Sequence, residues 1–363
     1  MSDLLFPIIS MVLLVLAEAG VLQFTGRQKV DWLDVIFNIN SGHMMLWLFR
    51  CLEVLCYGLV VNHFSLGLFD NAPVILLWLF TILAWDFGFY WLHRWHHEMR
   101  PLWAVHVVHH QGEHYNLSLG VRNSWYSSLT SIPFFMLLAM LGVPLQIFLA
   151  VSIIHYSWQF FNHNALTPKL GWLEKVLITP SHHRVHHLNQ KQYADTNYGG
   201  TFLLWDKLFG SYSAGPEYDV GYGVKNSRLS CNPMRESNLP FLRLMGFRSF
   251  DKAIEGRYQS SPWAVGAGGS CCLCWCLATF NNMAMALSLL PASKPYYLFC
   301  WRQAPLRWGH ERRAALGYDF VVLCDVVTAL FYCLYVFMEY SALEGISGYS
   351  AGPLPVICNR RRT

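Results

Sequence analysis

Charged side chains are scarce in this sequence. Asp, Glu, Lys and Arg together make up 13% of its 363 residues, where a soluble domain carries about a quarter. That scarcity excludes an ordinary soluble globular domain. Basic runs are missing too: the net charge is +4, and no basic run precedes Arg360-Arg361-Arg362. Nucleic acid is therefore not an expected partner. The eleven cysteines form no CxxC…CxxC framework, and several lie in apolar runs, where free cysteine behaves as a small hydrophobe. They read as reduced thiols. No basic region precedes the first apolar run, so no removable signal peptide is expected.

Apolar and aromatic side chains take the place of charge, at 54% and 16% of the chain with a mean hydropathy of +0.29. This predicts an all-α, polytopic membrane helical bundle. The first span runs from Leu4 to about Phe24 and the second from Met44 to Val61, each close to the length of a bilayer crossing. Glu18 inside the first is costly in lipid and is expected to face other helices. Arg50 and Glu53 in the second can pair at three-residue spacing. The third span, Pro73 to Leu92, leads straight into a histidine-rich stretch. The apolar region from about Ser128 to Phe161, broken by Gly142-Val143-Pro144, suits a hairpin of two crossings. Four segments follow from these shifts: N-terminal spans in 1–70, a catalytic domain in 71–212, a polar linker in 213–262 and a C-terminal membrane region in 263–363. In the last, Cys271-Cys272-Leu-Cys274-Trp-Cys276 sits inside an apolar run and reads as packing, not as a metal site.

Sixteen histidines are present, and six of them fall between Trp91 and His110. Residues three or four apart share one face of a helix. His93 with His97, His106 with His109 and His110, and His183 with His186 and His187 all keep that spacing. These eight imidazoles exceed what one structural zinc uses, and the count points to two metals. His96 and His182 are near-duplicates that spacing alone leaves as rivals. Asp86, Tyr90, His93 and His97 recur at intervals of four, three and four, which favours His97 over His96. The same stripe makes Asp86 a candidate for orienting a ligating histidine and places Tyr90 beside it as a candidate catalytic residue. His155, Gln159 and His163 form a second polar stripe, and His163, at the helix exit, is a candidate for metal or substrate contact.

Positive residues in the loops, Arg27 and Lys29 after the first span and then Arg94, Arg100, Arg122, Lys169, Lys175, Arg184 and Lys191, place all three histidine sets on the cytoplasmic face. A histidine-rich site without thiolates, at the mouth of a helix bundle, suits a redox-active metal, dioxygen, an electron donor and a lipid substrate. A non-enzymatic metal-binding or metal-transport membrane protein is the alternative class. It should place ionisable groups near the bilayer midplane on several spans, whereas these histidines cluster at span ends.

The series HxxxH, HxxHH, HxxHH resembles the eight-histidine pattern of the fatty acid hydroxylase/sterol desaturase superfamily of membrane di-iron oxygenases. Glu113-His114-Tyr115-Asn116-Leu117, Arg122-Asn123-Ser124, Thr179 to His187 and Asn197-Tyr198-Gly199-Gly200 with Trp205-Asp206-Lys207 look most like its alkylglycerol monooxygenase branch. The resemblance covers roughly residues 70–212. It implies iron ligation by His93, His97, His106, His109, His110, His183, His186 and His187, with His163 matching an additional family histidine. It also implies hydroxylation of an ether lipid with tetrahydropterin, or another external reductant, as electron donor. Sterols, fatty acids and carotenoids are substrates elsewhere in the superfamily.

Overall fold

The computed structural model describes residues 2–41, 43–216, 221–224 and 233–247. Ten α-helices occur among them: α1 (Ser2–Phe24), α2 (Trp32–Asn40), α3 (His43–His63), α4 (Val74–Glu98), α5 (Arg100–His110), α6 (Ser127–Leu141), α7 (Leu145–Asn162), α8 (Pro180–His186), α9 (Leu204–Leu208) and α10 (Pro233–Leu244). No strand forms among the described residues; two isolated bridges, Leu177 with Phe202 and Leu188 with Tyr222, tie loops together. The expected C-terminal membrane region in 263–363, with the cysteine run from Cys271 to Cys276, lies outside the described residues.

Helices α3, α4, α6 and α7 share one core, in which Tyr57, Trp85, Phe135, Leu138 and Phe148 are buried. The break between α6 and α7 falls where the sequence places it. Gly142 closes α6 in the left-handed region at φ 99°, which only glycine adopts freely, and Pro144 precedes the first turn of α7. Helix α4 has 25 residues, a length of roughly 37 Å at 1.5 Å per residue. It is the helix among the described residues that is long and apolar enough to cross a membrane. It ends at Glu98 because Pro101, in the first turn of α5, removes a backbone donor and would clash with the preceding turn.

The outward faces are apolar and the inward faces carry the polar groups. Val74, Ile75, Leu76, Leu79 and Leu83 of α4, Leu13 and Leu14 of α1, and Ile153 and Ile154 of α7 are all exposed. Inside, Arg50 pairs with Glu53 as the spacing predicts and donates to Ser152 Oγ at 2.6 Å, while Ser131 Oγ donates to Glu53 at 2.7 Å. Glu18 is buried and accepts from the backbone N–H groups of Leu117 at 2.5 Å and Ala165 at 2.6 Å, pinning α1 to the loops that surround the histidines.

Two elements depart from the sequence reading. Helix α2, which apolar runs do not reveal, is capped by Asp31 and supplies Asn38 to Ser118 at 2.9 Å. The segment 213–262, expected as a polar linker, contains α10. There Leu239 is buried, Ser237 Oγ accepts from Trp125 N–H at 3.2 Å and Tyr126 donates to Asn238 at 2.7 Å. Its strongly polar outer face hides the helix from a reading based on apolar content.

Candidate metal centre

Nine buried or half-buried imidazoles meet where α4, α5, α7 and α8 end. They separate into two groups: His93, His97, His106, His110 and His186 in one, and His109, His163, His183 and His187 in the other. Within each group the nearest ring nitrogens all lie within 4.8 Å of one another. All eight histidines picked by spacing are present, and His163, placed at the C-terminal end of α7, is the ninth.

The tautomers show what this arrangement is for. His109 Nδ1 is 2.9 Å from the Arg122 carbonyl oxygen and His163 Nδ1 is 2.8 Å from the Gln159 carbonyl oxygen. A carbonyl only accepts, so both Nδ1 atoms carry the proton and both Nε2 atoms are bare lone pairs in the neutral rings. Those two Nε2 atoms nevertheless face each other at 3.1 Å. Two acceptors at that distance repel unless a cation lies between them.

The larger group repeats the pattern. His93 Nδ1 donates to Tyr198 O at 2.8 Å and His186 Nδ1 to Thr196 O at 2.7 Å. His97 Nδ1 lies 3.1 Å from Asp195 Oδ1. The Nε2 atoms of His97 and His186 are buried without a hydrogen-bond partner. His106 Nε2 is 3.0 Å from His93 Nε2 and 3.1 Å from His110 Nε2, and one proton cannot serve both contacts. The donor set fits metal ions, which accept bare imidazole nitrogens from several directions.

Electrostatics agree with this. Burial, reinforced by the neighbouring imidazoles, holds His106, His110, His163, His183, His186 and His187 well below the ordinary imidazole range. Burial likewise pushes His109 down to about 4. These rings are neutral at pH 7, the form that binds a metal.

The two near-duplicates lie outside both groups. His96 is turned to Thr130 Oγ1 at 2.9 Å. His182 occupies the third position of α8, and its Nδ1 accepts from Thr179 N–H at 3.3 Å in a reciprocal cap, a common way to satisfy a helix start. Asp86 and Tyr90 do not touch the ligating nitrogens. Asp86 accepts from Thr201 N–H at 2.7 Å, Phe202 N–H at 3.0 Å and Trp205 Nε1 at 2.9 Å, and it lies 3.2 Å from His155. Tyr90 bonds Ser211 Oγ at 2.9 Å and accepts from Arg94 at 3.1 Å. The stripe along α4 therefore splits. Its last members point into the metal group, and its first two hold the loop that covers it.

Comparison with known proteins bears directly on this constellation. Residues 78–211 match the Fatty acid hydroxylase family. The chain is 34% identical over 231 residues to the alkylglycerol monooxygenase of Homo sapiens, covering 62% of this chain and 51% of that protein. Against the alkylglycerol monooxygenase of Danio rerio it is 43% identical over 197 residues, covering 53% and 43%. The ornithine lipid hydroxylase OlsE of Rhizobium tropici is 30% identical over 152 residues, covering 40% and 45%. The chain thus spans about half the length of the curated relatives it matches. No solved structure matches it.

Within the matched region, residues 195–198 matter more than their sequence suggests. Asp195, Thr196 and Tyr198 supply the acceptors for His97, His186 and His93, one after another. Asp195 and Asn197 sit at φ 61° and 55°, the positive-φ non-glycine residues among those described. Asp and Asn tolerate that region best, and Asp-Thr-Asn was the available signal. Asp206 organises the same loop, accepting from Tyr198 N–H and Gly199 N–H, each at 2.8 Å, and from Ser211 Oγ at 2.7 Å. The Gly199-Gly200 pair permits the close approach: a Cβ on Gly200 would lie 2.0 Å from His155 Cε1.

Proposed function

We propose that this chain is a membrane-bound, oxygen-dependent di-iron lipid hydroxylase, acting on alkylglycerol-type ether lipids. The observation that carries this reading is the facing pair of bare Nε2 atoms of His109 and His163 at 3.1 Å, within nine imidazoles and no thiolate. The proposed ligands are His93, His97, His106, His110 and His186 for one iron, and His109, His163, His183 and His187 for the other. Bound there, the two irons supply electron transfer to dioxygen and the oxidising power to attack an unactivated C–H bond. The protein contributes positioning: backbone carbonyls and Asp195 fix the imidazole tautomers, and burial keeps the rings neutral and water away. The ether-lipid assignment follows the alkylglycerol monooxygenases among the relatives, and the electron donor is then tetrahydropterin or another external reductant.

Membrane insertion is supported by the apolar outward faces of α1, α4 and α7 and by the length of α4. Runs of neighbouring exposed apolar residues such as Val74, Ile75 and Leu76 on α4 mark surfaces that meet lipid or a partner. We place the histidines on the cytoplasmic face of a multi-pass bundle because the loop lysines and arginines gather at that end. Cysteines introduced at the exposed positions Arg100 and Gln192 should label from the same, cytoplasmic side; opposite accessibility would remove the shared-face topology.

The reaction is tested with full-length protein reconstituted in lipid, reading oxygen uptake. Uptake should require iron, reductant and an alkylglycerol together, with aldehyde release from the ether. Uptake with a sterol or fatty acid but not the ether would move the assignment to another branch of the superfamily. A single tightly held zinc, with no uptake after iron loading, would overturn the oxygenase reading.

A further inference from the structure

We infer that Asp195 is a positioning residue for the five-imidazole group, and that its carboxylate sets the tautomer and donor strength of His97. The inference rests on the metal-binding reading above and extends it to a residue outside the ligand set.

Five of the nine imidazoles have an oxygen partner at Nδ1. Four of those partners are backbone carbonyls: Tyr198 for His93, Thr196 for His186, Arg122 for His109 and Gln159 for His163. A carbonyl is neutral and its position is fixed by the chain. The fifth is different. His97 meets a carboxylate oxygen, Asp195 Oδ1, at 3.1 Å. A charged acceptor makes the imidazole a stronger donor at its other nitrogen. That other nitrogen, His97 Nε2, is buried without a hydrogen-bond partner among the nitrogens of its group.

The backbone around Asp195 is built for this contact. Asp195 stands at φ 61° and Asn197 at φ 55°, conformations that cost free energy in a non-glycine residue and persist when the surroundings fix them. Asn197 is fixed on three sides, donating to His182 O at 3.1 Å and Ser213 O at 2.9 Å and accepting from Ser213 N–H at 2.9 Å. The loop is thereby held in the shape that aims three acceptors within four residues, Asp195, Thr196 and Tyr198, at three histidines. The Asp195 carboxylate is 64% exposed, while the His97 side chain is 4% exposed. No lysine or arginine among the described residues forms an ion pair with Asp195. Its partner is the imidazole.

A single hydrogen bond from a neutral imidazole to a carboxylate on the surface contributes only about 1 kcal/mol of stability. If Asp195 orients a ligand, its loss should act on one metal only. The test uses full-length protein from cells fed iron-57, comparing wild type with Asp195→Ala and Asp195→Asn. Iron release to an excess of chelator is followed together with Mössbauer spectra. Asp195→Ala should release one of two irons about 10–100-fold faster than wild type, the range typical when an orienting partner is lost, while the second iron leaves at the wild-type rate. Asp195→Asn keeps an acceptor without the charge. It should restore retention yet shift the spectrum of that one iron. Asp195→Ala with wild-type release and spectra would overturn the inference, and so would equal acceleration of both irons, which signals general loosening. Wild-type protein that holds no iron pair would instead remove the metal reading, and this inference with it.

Discussion

Replacing Asp206 with Asn tests whether the covering loop, and not the histidines alone, shapes the centre. The carboxylate is fully buried and accepts three hydrogen bonds, from Tyr198 N–H, Gly199 N–H and Ser211 Oγ. Hydrogen bonds to a charged group contribute about 1.5–3 kcal/mol each. Burial pushes the Asp206 carboxyl above its usual range while these bonds pull it back, so neutralising it recovers part of that desolvation. Asn keeps one acceptor oxygen but turns an amide N–H2 toward one of two backbone donors. One buried N–H is then orphaned, at a cost of about 1–3 kcal/mol, and the charge-assisted bonds weaken. We expect a net loss of roughly 3 kcal/mol, a large share of a typical stability of about 5–15 kcal/mol. The effect should reach the metal, because Tyr198 is held through its N–H by Asp206 and holds His93 through its carbonyl. The assay is the half-life of iron retention and of native fluorescence during heating in detergent, since unfolding of such proteins is commonly irreversible. Asp206→Asn protein with wild-type half-lives and full iron content would refute the chain of reasoning from carboxylate to loop to imidazole.

His97→Ala should lose iron from the five-imidazole group, whereas His96→Ala should keep both irons while losing the hydrogen bond with Thr130, about 1 kcal/mol of stability, and the stacking on the His106 ring; metal content per monodisperse protein decides, and an empty site in His96→Ala would count against the grouping. Acid should release metal and destabilise the fold. Burial depresses His109 to about 4 and holds its neighbours low, so the unfolded chain binds more protons below its ordinary imidazole value of about 6.5. Stability from the neutral rings is complete above that value and falls as pH drops through the window between the two. A metal-free sample whose thermal midpoint is flat from pH 7 to pH 5 would contradict it.

Much of the bundle was legible because apolar runs and breakers act locally. The Gly142-Val143-Pro144 break and the Arg50–Glu53 pair need no knowledge of the rest of the chain. Helix α10, which lies beside α5, escaped because a helix with one narrow apolar edge, on which Leu239 is buried, resembles a polar linker in composition. Asp195 escaped for another reason. Its bond to His97 spans 98 residues, and no periodicity relates a loop aspartate to a histidine on a distant helix.

The histidines show the same limit more sharply. Sequence clusters suggest that each HxxHH set serves one place, yet the structure divides them. In α5, His106 and His110 are four apart and join the larger group, while His109, one residue before His110, joins the smaller. Neighbours on a helix diverge by about 100°, so adjacent imidazoles address different centres. In α8, His183 and its i+4 partner His187 fall in the smaller group, and His186 crosses to the larger. Each HxxHH set thus divides its i and i+3 members as well as its adjacent pair, and the two short helices bridge both groups. Helix α4 does not: His93 and His97 share one face and one group. A set of type HxxxH can hold one metal, and a set of type HxxHH can link two. That difference was present in the spacing, but only the packing of α4, α7 and α8 around α5 shows which nitrogen faces which neighbour.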